Sequence, residues 1–226
     1  MPEYVVEFGK DGRPVEADGR LDAPAFYRNH QPIAAVLQRC LDGKSGDALE
    51  AGSGTGQHVV HFAKLMPAIT WWPSDLNEAH LKSIEAWRAY SGLPNIRPSL
   101  SIDLADAAWS AAMQAAGGPA RLLAVFCANV IHIAPWRVAE GLFAGAARVL
   151  QSGGLLLLYG PFKREGKHTA VSNAVFDTSL RENNPEWGVR DIADLERLAA
   201  LNGLVRRTVE EMPANNLILI FVRENA

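Results

Sequence analysis

One carboxylate and three glycines in a single loop, Glu50-Ala-Gly-Ser-Gly-Thr-Gly56, carry the densest chemical signal in the chain. Glycine at alternate positions lets the backbone turn with φ > 0 and lets a ligand approach the main chain closely. An apolar run precedes the loop and helical periodicity follows it, so a helix start there would present unpaired N–H groups. Three ligand classes compete for such a loop. A triphosphate cradle needs Gly-Lys-Ser/Thr, and Gln57-His58 stand in those places. A dinucleotide GxGxxG pattern wants its third glycine at position 57, which is Gln57. The remaining pattern, an acid followed by GxGxG, makes use of Glu50, from which a phosphate site would gain little. Asp75 lies 19 residues after Gly56, where a carboxylate at a strand end can accept both hydroxyls of a ribose. Helix capping is its alternative role. Asp103 stands at the end of a further strand, with an ordinary turn aspartate as the alternative. Asn129 lies just beyond a fourth strand, and His132 is a candidate general base because histidine titrates near neutrality. A histidine between Ile131 and Ile133 also suits a packed structural role.

These residues need elements to hold them. Residues 1–24 read as an irregular arm, with a turn at Lys10-Asp-Gly-Arg13, and residues 25–226 as one domain. Helical spacing runs from Ala25 through Ile33, Val36, Leu37 and Leu41. Strands are predicted at Asp47–Ala51, Ile69–Trp72, Ile96–Ile102, Arg121–Ala128, Leu155–Tyr159 and Leu217–Val222. Pro73 to Leu76 leave the second of them. Between the strands come helices around Val59–Met66, from Asn77 to about Tyr90, at Ala107–Ala116, and from Trp136 to Leu150 with Gly153-Gly154 closing it. Residues 160–184 read as polar and irregular, with helix around Ala174–Leu180, and Asp191 caps a last helix through Leu201, with Asp194 as its acidic partner. Strand–helix alternation predicts an α/β, Rossmann-like, doubly wound sheet of about seven mostly parallel strands with helices on both faces. Ligands of such sheets gather beyond the carboxyl ends of the strands.

The bulk composition narrows the function classes. In 226 residues, 48% are hydrophobic and 21% charged, ordinary for a globular domain, and the net charge is −3. No basic run marks a nucleic-acid partner, and no apolar run reaches the roughly 20 residues that span a bilayer. Cys40 and Cys127 sit in apolar surroundings without metal-binding spacing and are expected as buried small hydrophobes, so no metal is expected. With no secretory signal pattern, a cytoplasmic location is expected. Oligomeric state is not legible.

The acid-x-GxGxG loop resembles motif I of class I S-adenosylmethionine (SAM)-dependent methyltransferases. That resemblance implies that Glu50 helps hold the methionine end of SAM, that Gly52, Gly54 and Gly56 line it, and that Asp75 takes the ribose. It further implies that Asp103 recognises the adenine amino group, with Leu76 and Leu104 beside these carboxylates. Phe126-Cys-Ala-Asn-Val-Ile-His-Ile-Ala-Pro-Trp136 resembles motif IV, which passes beside the methyl donor, so Asn129 is expected at the cofactor or the substrate. A narrower likeness is to the methyltransferase-like 26 family, formerly a domain of unknown function. It rests on Arg28-Asn29 before Pro32-Ile33, Ser53 to His58, Trp72-Pro-Ser-Asp75, Ala128 to Trp136, Gly160-Pro-Phe162, Ser172-Asn173, Phe176-Asp177, Trp187 to Asp191, and Met212 to Asn216. It implies an antiparallel last strand. Arg28 is expected to cap the methionine carboxylate, Tyr159 to lie by the acceptor, and Asn173, Asp177, Trp187 and Arg190 to belong to a substrate lid.

The expected activity is therefore methyl transfer from SAM, yielding S-adenosylhomocysteine (SAH), to a small-molecule acceptor. Asn129 and Tyr159 would position that acceptor, with His132 as base. No Asn/Asp-Pro-Pro-Tyr/Phe tetrapeptide follows the fourth strand, which argues against amino-methylating nucleic-acid and glutamine enzymes. The competing readings are a non-catalytic SAM- or SAH-binding module and an NAD-dependent oxidoreductase.

Overall fold

Helix and strand alternate from Pro24 onward. The computed structural model describes residues 18–224, so the turn expected at Lys10–Arg13 lies outside the described residues. The elements are α1 (Pro24–Leu41), β1 (Gly46–Ala51), α2 (Gln57–Leu65), β2 (Ile69–Asp75), α3 (Glu78–Ser91), β3 (Leu100–Ser101), α4 (Trp109–Ala115) and β4 (Leu122–Ala128). There follow α5 (Trp136–Val149), β5 (Leu150–Gly160), β6 (Lys163–Arg164), β7 (Lys167–His168), α6 (Val171–Asn183), α7 (Ile192–Leu201), β8 (Leu204–Met212) and β9 (Asn216–Arg223). Seven strands form one sheet in the order β3-β2-β1-β4-β5-β9-β8, and β6-β7 form a separate hairpin. Strands β1, β2 and β3 are parallel, whereas β9 runs antiparallel to both β5 and β8. This is the Rossmann-like, mostly parallel sheet with helices around it and an antiparallel last strand. Among the described residues, no helix is long and apolar enough to cross a membrane.

The described chain divides into two compact units. One comprises the residues up to Asp103 with Ala111–Leu123, and the other Leu104–Ser110 with the residues from Ala124 onward. In the first, Ile33, Leu37, Leu49, Phe62, Trp71 and Ile84 are fully buried. Asn77 caps α3 by accepting from the Ala79 N–H at 2.8 Å, as its position before the helix predicts. The second strand, expected to end at Trp72, continues through Pro73 to Asp75. Trp71 donates to Asn95 O and accepts from Arg97 N on its β3 side. Strand N–H groups two residues apart point the same way, so the donorless nitrogen of Pro73 faces that side too. There Pro98 interrupts the third strand, and the expected run Ile96–Ile102 contracts to an isolated bridge at Ile96 and the two residues of β3. Cys40 is half-buried rather than buried, whereas Cys127 of the other unit is buried as expected.

Strand β4 is apolar along its length, and Val125 and Phe126, in the second unit and on opposite faces of the strand, are sealed from solvent, as suits a strand covered on both faces. Glycines in α5 serve packing. A Cβ on Gly145 would lie 2.0 Å from the Trp109 ring, and the Trp109 Nε1–H donates to Gly141 O at 2.7 Å. Helix α5 ends at Val149, and β5 starts at once, so Gly153 and Gly154 belong to a strand and not to a helix stop. The residues Gln151 to Gly153 are exposed, and for that reason they carry no apolar pattern. Helix α6 is longer than expected, and a small hairpin precedes it. Strand β8 was not predicted at all. It is polar and largely exposed, and a register shift between Arg206 and Thr208 breaks the period of two.

Candidate functional site

In the first unit, the loop after β1 is a network of main-chain bonds closed by hydroxyls. The Ser53 N–H donates to Ser74 O (2.7 Å), and the hydroxyls of Ser53 and Ser74 both donate to Glu50 O, at 3.1 and 2.9 Å. Gly52, Gly54 and Gly56 have φ of 73°, 56° and 90°, the left-handed region that a side chain would strain. Gly56 has a second constraint, since a Cβ there would lie 2.9 Å from the Ile84 Cα of α3. The glycine spacing read from the sequence thus reflects both backbone conformation and close packing.

Asp75 ties this loop to the next strand. Its Oδ2 accepts from the Gly54 N–H (2.9 Å) and its Oδ1 from the Asn77 N–H (2.9 Å), with His80 Nδ1 3.2 Å from the same Oδ1. Each carboxylate oxygen keeps accepting capacity beyond these bonds. Glu50 is 2% exposed, and its Oε2 has no hydrogen-bond partner among the described residues. Burial pushes its carboxyl up to about 8, Asp75 adds to the rise, and the Ser53 hydroxyl and Val59 N–H work against it. Leu76 and Asp103 are half-buried at the ends of their strands, and Arg28 is exposed on α1.

Sequence reasoning missed four polar residues here. Ser53 and Ser74 brace the Glu50 carbonyl, and His80 backs Asp75. Gln57 joins the loop to the chain before α1, donating to Asp22 Oδ1 (2.7 Å) while accepting from the Ala23 N–H (2.8 Å) and the Thr55 hydroxyl (3.0 Å). Ser53, Gln57 and Ser74 stand inside segments that resemble the methyltransferase-like 26 family, and His80 follows the cap of α3 by three residues.

In the second unit, Asn129 follows β4 with φ 60°, one of four described non-glycine residues with positive φ. Its N–H donates to Tyr159 O (2.8 Å), which joins the ends of β4 and β5. Leu104 is buried, with its carbonyl against α5 at Gly141. His132 is fully buried, and neither ring nitrogen has a hydrogen-bond partner among the described residues. Burial, reinforced by the Arg190 charge, pushes its pKa down to about 3, so the ring is neutral at physiological pH. A base must be within reach of the proton it takes, and His132 is instead edge-on to Phe162 at 4.9 Å.

Asn173, Asp177 and Arg190, expected in a lid, are each held by neighbouring groups. Arg190 donates to the carbonyls of Ile131 (2.9 Å), Ala134 (2.5 Å) and Glu186 (3.0 Å), and the Gly188 N–H donates to His132 O (2.9 Å). Asp177 accepts from Lys163 Nζ (2.7 Å) and the Val189 N–H (2.7 Å), with Arg181 Nε 3.2 Å away. Burial works to raise the Asp177 carboxyl, but these partners outweigh it and hold it below the usual range. Asn173 donates to Thr169 Oγ1 and Asn215 O, and Trp187 Nε1 is buried without a partner among the described residues. A cavity of about 510 Å³ opens beside this cluster, lined by Trp136, Lys163, Arg181, Arg190, Asp191 and Arg197 among others.

Comparison with solved structures identifies the fold as one shared with methyltransferases. An O-methyltransferase family protein from Burkholderia thailandensis superposes with a TM-score of 0.70 at 16% identity, over 89% of this chain and 58% of that one. A putative O-methyltransferase from Nostoc punctiforme PCC 73102 gives 0.70 at 13%, over 85% and 55%. CalO1, a methyltransferase in calicheamicin biosynthesis solved in its SAH-bound form, gives 0.64 at 17%, over 84% and 54%. At these identities the likeness is one of fold, and the chain spans less than two thirds of each of these proteins. Residues 20–223 match the model of the DUF938 family, described as a protein of unknown function, and the chain belongs to that family.

Proposed function

We propose that this protein is a SAM-dependent methyltransferase acting on a small-molecule acceptor, with residues 25–226 as its working domain. The observation that carries the reading is the bond from the Gly54 N–H to Asp75 Oδ2, which fastens a left-handed glycine loop to a strand-end carboxylate. The O-methyltransferase fold of the solved structures supports it, as do the segments that resemble the methyltransferase-like 26 family. A cytoplasmic setting and independence of metal belong to the same proposal.

The residues present fit SAM. Glu50 offers a buried oxygen without a partner to a cationic amino group, and the glycine loop leaves its main chain open to a ligand. Asp75 serves the ribose and Asp103 the adenine, with Leu76 and Leu104 as apolar neighbours and Arg28 toward the carboxylate. When bound, SAM supplies a methyl group already activated on a sulfonium. The chain's task is then alignment and exclusion of water, which can lower a barrier by up to about 7–11 kcal/mol in favourable intramolecular cases. Asn129 and Tyr159 position the acceptor in this reading. His132, the expected base, is neutral and enclosed, which suits it poorly to take a proton.

The enclosure of His132 also favours a second reading, a module that binds SAM or SAH without turnover. Calorimetry with SAH and with NADH is the first test, and SAH binding without NADH binding is expected. NADH binding without SAH binding overturns the proposal in favour of an oxidoreductase. Methyl transfer from labelled SAM across a panel of small hydroxyl, thiol and amine acceptors separates enzyme from module.

A further inference from the structure

Glu50 is chemically unusual in a way the cofactor reading does not require. It is a carboxyl sealed from solvent, with one oxygen lacking any partner among the described residues. The groups around it offer little to balance a negative charge. From β2 comes Asp75, itself acidic, with His80 Nδ1 of α3 3.2 Å from its Oδ1. From the loop comes the neutral Ser53 hydroxyl, and from α2 the neutral Val59 N–H. His58 of α2 is turned toward α1, where its Nε2 bonds Asn29 Oδ1 (2.8 Å), and burial keeps it neutral, its pKa pushed down to about 3. A carboxylate in such a setting is disfavoured against the acid.

We propose that the free protein carries Glu50 as a neutral carboxylic acid, and that seating a ligand's cationic amino group beside it drives that proton into bulk water. This rests on the cofactor reading and adds to it a regulation of the same site: occupancy is coupled to pH through one proton. The balance is simple. The Glu50 O–H bond breaks, the carboxylate pairs with the ammonium, and the proton leaves to buffer. An ammonium placed beside a neutral acid would remain an unpaired buried charge, whereas the ion pair satisfies both partners.

With burial raising Glu50 to about 8 in the free protein, most molecules hold the proton at pH 7. Affinity for SAH should then tighten up to about tenfold per pH unit between pH 6 and 7.5. The test is calorimetry of SAH binding at pH 7 in phosphate, Hepes and Tris, whose ionisation enthalpies differ, on the full chain and on Glu50→Gln. The slope of observed against buffer enthalpy counts protons, and the ligand's own titration cancels between the two proteins. Wild type should release more protons than E50Q, up to about one per ligand bound. Equal proton counts with both proteins binding overturn this inference and leave the cofactor reading intact. Failure of the wild type to bind SAH or SAM overturns the cofactor reading, and this inference with it. Should E50Q not fold, the infrared carbonyl stretch of a buried carboxylic acid decides on wild type alone. It must be present in the free protein and vanish at saturation with SAH, and its absence or persistence overturns the inference.

Discussion

Gly160 and His132 share one space: a Cβ on Gly160 would lie 2.4 Å from His132 Nε2 and 2.8 Å from its Cδ2. Because His132 is fully buried, its ring has no solvent-side escape. Gly160→Ala should therefore cost about 1–3 kcal/mol, the usual penalty of overpacking. His132→Ala should lose stability on its own by leaving a cavity. The double variant should recover part of the Gly160→Ala loss, because the clash partner is gone. Urea unfolding of the four proteins measures this, and strict additivity would show that the two residues do not compete for the space.

Asp75 is expected to be the strongest single determinant of cofactor affinity. Asp75→Ala removes the acceptor of the Gly54 and Asn77 N–H groups along with any bond to a ribose. Loss of about 1.5–3 kcal/mol of charged hydrogen bonding corresponds to SAH binding weakened roughly 10- to 150-fold. Asp75→Asn keeps one acceptor oxygen and should weaken binding less. Unchanged affinity in both variants would remove Asp75 from the site.

The free protein should be most stable near pH 6.5. Glu50, raised to about 8, keeps a proton that the unfolded chain releases above its ordinary 4.5, so its contribution falls as pH rises from about 4.5 to 8. His58 and His132, lowered to about 3, stay neutral where the unfolded chain takes up protons, so stability also falls as pH drops from 6.5 toward 3. Asp177, held low by its cationic partners, adds to the loss on the acid side. Between 4.5 and 6.5 two histidines outweigh one carboxyl, and above 6.5 Glu50 acts alone among these groups. A melting-temperature series should show a decline from pH 6.5 to 8 that Glu50→Gln abolishes. A wild-type curve still climbing at pH 8 would contradict the raised Glu50.

Arg190 should control the conformation of the segment after β4. Replacing it by alanine leaves the carbonyls of Ile131 and Ala134 without their donor, at about 1–3 kcal/mol for each buried group left unsatisfied. Lysine supplies charge but not the planar fork, so Arg190→Lys should recover little. Hydrogen exchange at residues 129–134 should quicken in both variants while the loop at 50–56 keeps its protection. Uniform quickening across the chain would indicate global destabilisation instead.

What could be read beforehand follows from how each element is buried. Strands β1, β4 and β9 and helices α1, α3 and α7 carry apolar periodicity because one face or both are covered, and they lie within a few residues of expectation. Strand β8 has little to bury, so its alternation is absent. The break in β3 and the continuation of β2 through Pro73 depend on what the two prolines face, which only pairing reveals. At the candidate site, the glycines and Asp75 were legible because backbone conformation and a strand-end carboxylate restrict residue type. The bracing by Ser53, Ser74 and Gln57 was not, since hydroxyls and amides suit many surfaces. The lid expected at Asn173, Asp177 and Arg190 was legible as polar, but polarity alone did not disclose that Lys163 and the carbonyls of Asn215 and Ile131 satisfy these side chains.

Gln57 occupies the place where a dinucleotide loop would have its third glycine, and its amide is bonded on both sides of that loop, to Thr55 and to Asp22-Ala23. A ligand that shifts Thr55 must therefore strain or carry along the entry to α1, making the start of that helix a mechanical reporter of loop occupancy. Ser83 makes a second link, donating to Thr55 O (2.7 Å) and accepting from the Leu21 N–H (2.9 Å), so a fluorophore near residue 22 would sense the loop through two side chains and Gln57→Gly would weaken the response. The substitution that brings the loop nearest to a dinucleotide fingerprint is thus the one that removes one of its two ties to the helix before it.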